Sequence, residues 1–239
     1  MAKTITFFGG DSQVGTTLIA ASVAQSLTAR KKKTVLVLAS TEVNENNFIS
    51  SSGGSLENLL RQNRIGKEDI ASAITKTDIF DMINGGADVL SKQFYPVDIM
   101  GSLFPLLKRE YEYIILDGGH DATLPVPISA LQFADRRYYV LTGNQKCITR
   151  FLSVYRNILK GLDLDEDGDK LVVNKDNPRV QTKYALEEIQ KMTVNLPGII
   201  VPEYDNPYLC EFDKTTAYLR SPAYKNAVDL IAEDILNMR

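Results

Sequence analysis

The stretch Gly10-Asp11-Ser12-Gln13-Val14-Gly15-Thr16-Thr17 stands between Lys3-Thr4-Ile5-Thr6-Phe7-Phe8, a β-rich run, and Leu18 to Leu27, a helical pattern with a small-residue face. In the phosphate-binding loop pattern G-x-x-x-x-G-K-[ST], backbone N–H groups and a helix N-terminus wrap phosphate oxygens. The Lys reaches the β- and γ-phosphates, and the hydroxyl binds Mg²⁺. Gly10, Gly15 and Thr17 occupy their places in that frame, but Thr16 stands where the lysine belongs. The order strand, glycine loop, helix favours a P-loop over an ordinary glycine turn, which stays open as the plainer reading.

Composition narrows the class. A chain of 239 residues that is 44% hydrophobic can bury a sizeable core, and no Pro/Ser/Gly-rich linker divides it, so one α/β domain over residues 1–239 is expected. The formal charge of −3 argues against a mainly electrostatic nucleic-acid binder. Arg30-Lys31-Lys32-Lys33 is the local exception; at the end of the first helix it reads as solvated, dipole-favoured charge rather than a DNA or lipid patch. Cys147 and Cys210 lie far apart without a CxxC or Cys/His grouping, as expected of two reduced, packed thiols. No signal-peptide core and no apolar run of 18 residues is present, which predicts a cytoplasmic protein without a membrane-inserting segment.

Apolar β-branched runs alternate with helical patterns along the chain, the sequence form of a mostly parallel central sheet with helices on both faces. The runs are 34–38, 80–83, 113–116, 138–141, 170–173 and 198–201. Helices are predicted over 55–62, 67–75, 97–111, 129–134, 148–161, 180–192 and 223–238. Ligands of such sheets sit beyond the carboxyl ends of the strands. There, Asp117 follows Ile114-Ile115-Leu116, the Walker B arrangement of a strand-tip carboxylate that holds Mg²⁺ through water. Many strands also end in Asp as a turn or cap residue. His120, the only histidine, has no evident catalytic partner and reads as a loop hydrogen-bonding residue.

With these elements in place the chain resembles the MinD/ParA family of deviant-Walker P-loop ATPases over nearly all its length. SLENLLRQNRIGKEDIASAI with FDMINGGA resembles the helical stretch, strand and glycine turn of that family. The segment from Ala130 to Leu159 resembles its strand and helix after Walker B, and Ser221 to Leu236 its closing helix. VVNKDN resembles the N-[RK] element that reads adenine, which implies that role for Asn174. Pro202 matches the proline that opens the base-side loop. The resemblance implies a single-domain P-loop NTPase-like fold and a homodimer. It further implies ATP or ADP with Mg²⁺ as cofactors, bound by Gly10, Asp11, Ser12, Gln13, Val14, Gly15, Thr16 and Thr17, with Thr17 and Asp117 on the metal.

The departures fall on the phosphate side. Where the family reads G-K-G-G-x-G-K-T, Asp11 replaces the lysine that reaches across the dimer, Ser12 and Gln13 replace the inner glycines, and Thr16 replaces the second lysine. After the second strand the family's aspartates give way to Ala39-Ser40-Thr41-Glu42. Lys to Asp and Lys to Thr remove three units of positive charge, each worth roughly 4 kcal/mol at ~4 Å and an effective dielectric of ~20, as an upper guide. Phosphoryl transfer rests on positioning and charge stabilisation, so weak or absent hydrolysis is expected.

Two rescues remain open: the backbone N–H groups at the helix N-terminus holding a phosphate or sulfate unaided, and a basic group such as Lys146 or Arg150 approaching the site; a homodimer could also pair Asp11 with a basic residue of its partner. The branch with an eroded loop includes the TadZ/CpaE proteins, which mark a cell pole for pilus assembly. They carry a receiver-like domain ahead of the ATPase fold, whereas this chain starts at the first strand. The resemblance thus implies a cytoplasmic localisation or assembly factor; a slow Mg²⁺-dependent ATPase is the alternative. A metallocofactor carrier fits poorly with two distant cysteines, and a tyrosine-kinase relative would show a clustered tyrosine tail. In the last helix the polar face holds Asp229, Glu233 and Asp234 rather than lysines, which favours docking on the core over lipid binding.

Overall fold

In a computed structural model of the chain, residues 2–40, 55–62, 65–85, 99–162, 164, 168–177, 182–192, 196–207, 210, 213 and 215–238 are described. They form eight strands and eight α-helices in the order β1 (Lys3–Gly9), α1 (Thr16–Ala29), β2 (Thr34–Leu38), α2 (Leu56–Leu60), α3 (Lys67–Ala73), β3 (Ile74–Thr75), β4 (Asp81–Ile83), α4 (Phe104–Glu110), β5 (Tyr113–Asp117), α5 (Pro125–Gln132), β6 (Arg136–Thr142), α6 (Gln145–Asn157), β7 (Lys170–Asp176), α7 (Thr182–Met192), β8 (Gly198–Pro202) and α8 (Pro222–Leu236).

The strands make one sheet in the order β3-β4-β2-β5-β1-β6-β7-β8. Every pairing is parallel except β3 with β4. The chain leaves β1 towards β2 and, after β5, crosses to β6 on the other side, so the sheet's growth reverses around β1. That is where open α/β sheets bind ligands.

Both faces are covered because the central strands are apolar on both faces. Side chains of successive strand residues point to opposite sides. On β6, Tyr138 stacks on Phe7 and hydrogen-bonds Asp234 of α8, while Tyr139 meets Phe151 and Tyr155 of α6. Helices α6 and α8 therefore lie on opposite faces. α8 docks through Val228, Ile231 and Ile235, each fully buried, as its apolar positions predict. A second core cluster gathers α2 to α5 around Val35, Val37, Ile114 and Leu116.

Several predicted boundaries shift for local reasons. The helix expected over 67–75 ends at Ala73, and Ile74–Thr75 pairs antiparallel to β4. Of the helix expected over 97–111, residues 97 and 98 lie outside the described residues, and the rest divides into a 3₁₀ turn, Ile99–Ser102, and α4, whose Pro105 suits a helix start and not an interior. α5 begins at Pro125, upstream of the expected 129, because Pro125 lies in its first turn. α6 ends at Asn157, with a 3₁₀ turn following at Leu159–Leu162.

The basic run is more committed than solvated charge. Arg30 pairs with Asp229 at 2.9 Å, Lys32 with Glu112 at 3.3 Å and Lys33 with Glu110 at 3.7 Å. Cys147 and Cys210 are buried thiols, not joined in a disulfide. Among the described residues no group of acidic, histidine and cysteine side chains could hold a metal by itself, and no helix is long and apolar enough to cross a membrane.

Candidate phosphate-loop site

Parallel pairing brings the carboxyl ends of the strands to one edge. Phe7 is level with Asp117, Gly9 with Val140, Thr142 with Asn174, and Asp176 with Pro202. The loop from Gly10 to Gly15 leaves β1 at the middle of that edge. Gly10 is required by close approach, since a Cβ there would land on Leu141 and press on Phe151. Gly15, the N-cap of α1, has φ 90°, ψ 24°, with no side chain capping the helix start. The amides of the first turn thus point at the loop as in an anion-binding helix start.

Gln13 holds φ 57°, the left-handed region that costs a side-chain-bearing residue about 1–2 kcal/mol. The loop keeps this backbone although the glycine of the pattern is gone. Tertiary ties supply the reason. Asn174 Nδ2 donates to Val14 O at 2.8 Å, and Lys175 Nζ donates to Gln13 O at 2.7 Å. Lys175 itself has φ 60°, beside the register shift between Val173 and Asp176 where β7 meets β8. Asn174 is buried and held against the loop.

Two groups meet below the helix start. Thr17 Oγ1 donates to Asp117 Oδ2 at 2.6 Å, and the other carboxylate oxygen accepts from Gly119 N at 3.2 Å. Asp117 is completely buried. A hydroxyl and a carboxylate facing one another at a strand tip are a donor set that suits a hard divalent cation. The triphosphate side fits less well. Thr16 is buried, and its Oγ1 stands 2.6 Å from where a Gly9 Cβ would lie; its short side chain carries no charge to a phosphate.

At the first lysine position Asp11 is neutralised within its own chain. Arg150 Nη1, from α6, donates to Asp11 Oδ1 at 2.6 Å, and the same oxygen accepts from Ser12 N at 2.8 Å. Burial pushes the Asp11 carboxyl up, but the Ser12 amide, Arg150 and Lys146 outweigh it and hold its pKa below the ordinary value. Of the expected rescues, the approach of a basic group is present in Arg150, with its charge spent on Asp11.

Outside the loop lies a cleft of about 630 Å³ whose walls include Asp11, Gln13, Lys146, Lys175, Asn177 and Glu203. Pro202 ends β8 at this edge, and Glu203 N donates to Asp176 O at 2.8 Å. Asn177 Nδ2 donates to the Glu203 carboxylate at 2.6 Å. Cys147 also faces the cleft, but burial raises its thiol pKa and so keeps it protonated. Ala39 and Ser40 are buried at the end of β2; Thr41 and Glu42 lie outside the described residues.

The site keeps the glycine loop, the helix start, Thr17 and Asp117 of the P-loop pattern in order around β1, without either lysine. The fold is that of the MinD/ParA ATPases. The chain superposes on a ParA family ATPase from Chlorobium tepidum TLS with a TM-score of 0.82 at 16% identity, covering 100% of each chain. It superposes on the septum site-determining protein MinD from Pyrococcus horikoshii OT3, complexed with Mg-ADP, with a TM-score of 0.79 at 18% identity, over 99% of this chain and 97% of that one. A chain of the MinC:MinD cell division protein complex of Aquifex aeolicus gives 0.74 at 18% identity, over 100% and 97%. No protein-family profile matches this sequence, and no curated protein matches it.

Sequence reasoning placed Thr17, Asp117, Asn174 and the loop on one edge, and the fold brings all of them together. It named Arg150 only as one of two candidates and did not single out Lys175 as a brace on Gln13. The signal for Lys175 was present as the basic member of the N-[RK] pair, but its direction depends on a bulge.

Proposed function

We propose that this chain is a MinD/ParA-like P-loop protein with a degenerate phosphate site, a single domain over residues 1–239 that acts as a cytoplasmic localisation or assembly factor. Polar or pilus positioning of the TadZ/CpaE kind is the process meant, and a homodimer is the working form. Nucleotide would bind weakly along Gly10 to Thr17, with Asn174 and Pro202 on the base side and Thr17 and Asp117 on Mg²⁺. Hydrolysis would be slow or absent.

One observation carries this reading. The loop keeps its left-handed Gln13 and Gly15 while both lysine positions are electrically empty, Asp11 being cancelled by Arg150 and Thr16 being neutral. A shape preserved without its charges fits a fold used to present a surface. Phosphoryl transfer needs charge at the γ-phosphate more than it needs the loop's outline. The intact Thr17 to Asp117 hydrogen bond favours the second reading, a slow Mg²⁺-dependent ATPase.

The test is calorimetric titration of purified protein with ATP and ADP in Mg²⁺, followed by measurement of phosphate release. Dissociation constants in the high micromolar range or weaker with no turnover are expected. Turnover that disappears in Thr17→Ala or Asp117→Ala would replace this reading with the ATPase.

A further inference from the structure

A sheet ends in two lateral strands, and each leaves one row of backbone N–H and C=O groups without a ladder partner. In this sheet they are β3 and β8. β3 has two residues, too few to template another strand, whereas β8 runs through Gly198-Ile199-Ile200-Val201-Pro202. Its phase follows from one hydrogen bond. Leu171 N of β7 donates to Pro197 O at 2.9 Å, with Leu171 level with Gly198. Alternate residues of a strand turn their N–H and C=O to the same neighbour, so Ile199 and Val201 face β7 while Gly198, Ile200 and Pro202 face outwards. Among the described residues no strand lies beyond β8, and no backbone hydrogen bond outside the ladder reaches Gly198 or Ile200.

The strand has little of the protection that natural sheets give their lateral strands. Lysines and other charges commonly do this work, but no charged residue stands between Leu196 and Pro202. Only Pro202, which has no N–H, blunts the row. Ile200 is 37% exposed although its side chain is wholly apolar. It shares a face with Gly198, where a Cβ would collide with Leu186 of α7, so α7 covers the start of the strand on that face and leaves Ile200 open beyond it. Val201 points to the opposite face and is fully buried.

We infer that β8 is a homodimer contact, at which a second copy of this chain adds its own β8 antiparallel and continues the sheet across a two-fold axis. The axis passes beside Ile200. The N–H and C=O of Ile200 then exchange both bonds with the partner's Ile200, and Gly198 N–H reaches the carbonyl of the partner's Pro202; only the Gly198 carbonyl meets no donor, because proline has none. Residues directly opposite in an antiparallel pair share a face, so the two exposed Ile200 side chains cover one another. A register that sets Ile200 against the partner's Gly198 is disfavoured, since Leu186 already fills that face. Charge permits the pairing, because Glu203, the first charge after the strand, falls opposite the partner's Pro197 and not opposite its own copy. Parallel addition would not close and would build an open stack. The inference rests on the homodimer proposed above and gives it an interface, three strands away from β1 and its loop.

Sedimentation velocity of the full chain, from micromolar to submillimolar concentration, in EDTA and again with Mg-ATP, is the test. A concentration-dependent dimer is expected in both. Ile200→Lys sets two like charges across the axis and should weaken it about tenfold or more. Ile200→Pro removes only the outward N–H, at a position where a lateral strand tolerates proline, and should weaken it likewise while thermal melts by circular dichroism stay cooperative. Paired Cα atoms there would lie about 5.5 Å apart, within disulfide reach, so Ile200→Cys is expected to give a covalent dimer on oxidation. A chain that is monomeric throughout overturns both the contact and the homodimer. A dimer unmoved by Ile200→Lys and Ile200→Pro, and not captured by Ile200→Cys, keeps the homodimer and overturns β8 as its contact, and so does one that forms only with Mg-ATP.

Discussion

Replacing Gly15 with alanine tests the shape of the loop where two demands coincide. Gly15 has φ 90°, and an L-residue held at positive φ carries a penalty of about 1–2 kcal/mol. An added Cβ would also stand 2.5 Å from Asn174 Nδ2, forcing that buried amide off Val14 O, which it reaches at 2.8 Å. A buried donor and acceptor left unpaired add about 1–3 kcal/mol. Gly15→Ala is therefore expected to lower the unfolding free energy by about 2–5 kcal/mol. Urea denaturation followed by far-ultraviolet circular dichroism measures this, with the m-value unchanged.

The Asn174→Ala background isolates the two parts. With the amide gone the clash disappears, so Gly15→Ala there retains only its backbone penalty. The double variant should be less damaged than the sum of the singles by about 1 kcal/mol or more. Gln13→Gly serves as the control. At φ 57° the relief of strain nearly balances the added freedom of the unfolded chain, so a change within about 1 kcal/mol is expected. A Gly15→Ala penalty below about 0.5 kcal/mol, or strict additivity with Asn174→Ala, would refute the braced loop.

Thr16→Lys restores one phosphate-facing charge and is expected to tighten Mg-ATP binding about tenfold by calorimetry; unchanged affinity would mean that the hollow is closed to triphosphate. At Asp229, burial pushes the carboxyl pKa up, but hydrogen bonds from Lys225, Ser26, Arg30 and Tyr218 overcome it and hold the group well below the carboxylate range. Its contribution is thus complete above the unfolded value near 4 and is lost as pH falls towards the folded one. Asp229→Asn should cost about 2 kcal/mol at pH 7 in urea melts and progressively less below pH 4, and an equal gap at both ends contradicts the assignment.

Arg137 and Asp169 form a buried pair at 3.1 Å, and burial raises the Asp169 pKa despite Arg137. Arg137→Met strands that carboxylate and is expected to cost about 3–5 kcal/mol. The loss should ease as pH falls, because protonated Asp169 has no charge to bury, and a pH-independent loss would point to packing instead.

The fold was legible because its determinants are local or periodic. Apolar runs longer than a half-buried strand needs, as in Tyr113 to Leu116, announce burial on both faces, and the glycines on either side of Val14 announce a loop that side chains would obstruct. Asp117 and Asn174 were legible as strand-end residues, since a parallel sheet aligns all its carboxyl ends at one edge. The short β3 was not legible, because two residues carry no period and Ile74 and Thr75 join the sheet only by pairing with Ile83 and Met82.

The sequence by itself determined that both lysines of the loop are replaced and that Thr17 and Asp117 remain, since identity at a motif position needs no coordinates. Only tertiary structure decided what those replacements do. Asp11 and Arg150 are 139 residues apart and meet at 2.6 Å, while Lys175 turns onto Gln13 through a left-handed residue beside a strand irregularity. Charge acts through space and falls with distance, so the balance of a site depends on contacts between distant segments. That is why a loop that reads as stripped of cations meets Arg150 at Asp11 and Lys175 at the Gln13 carbonyl.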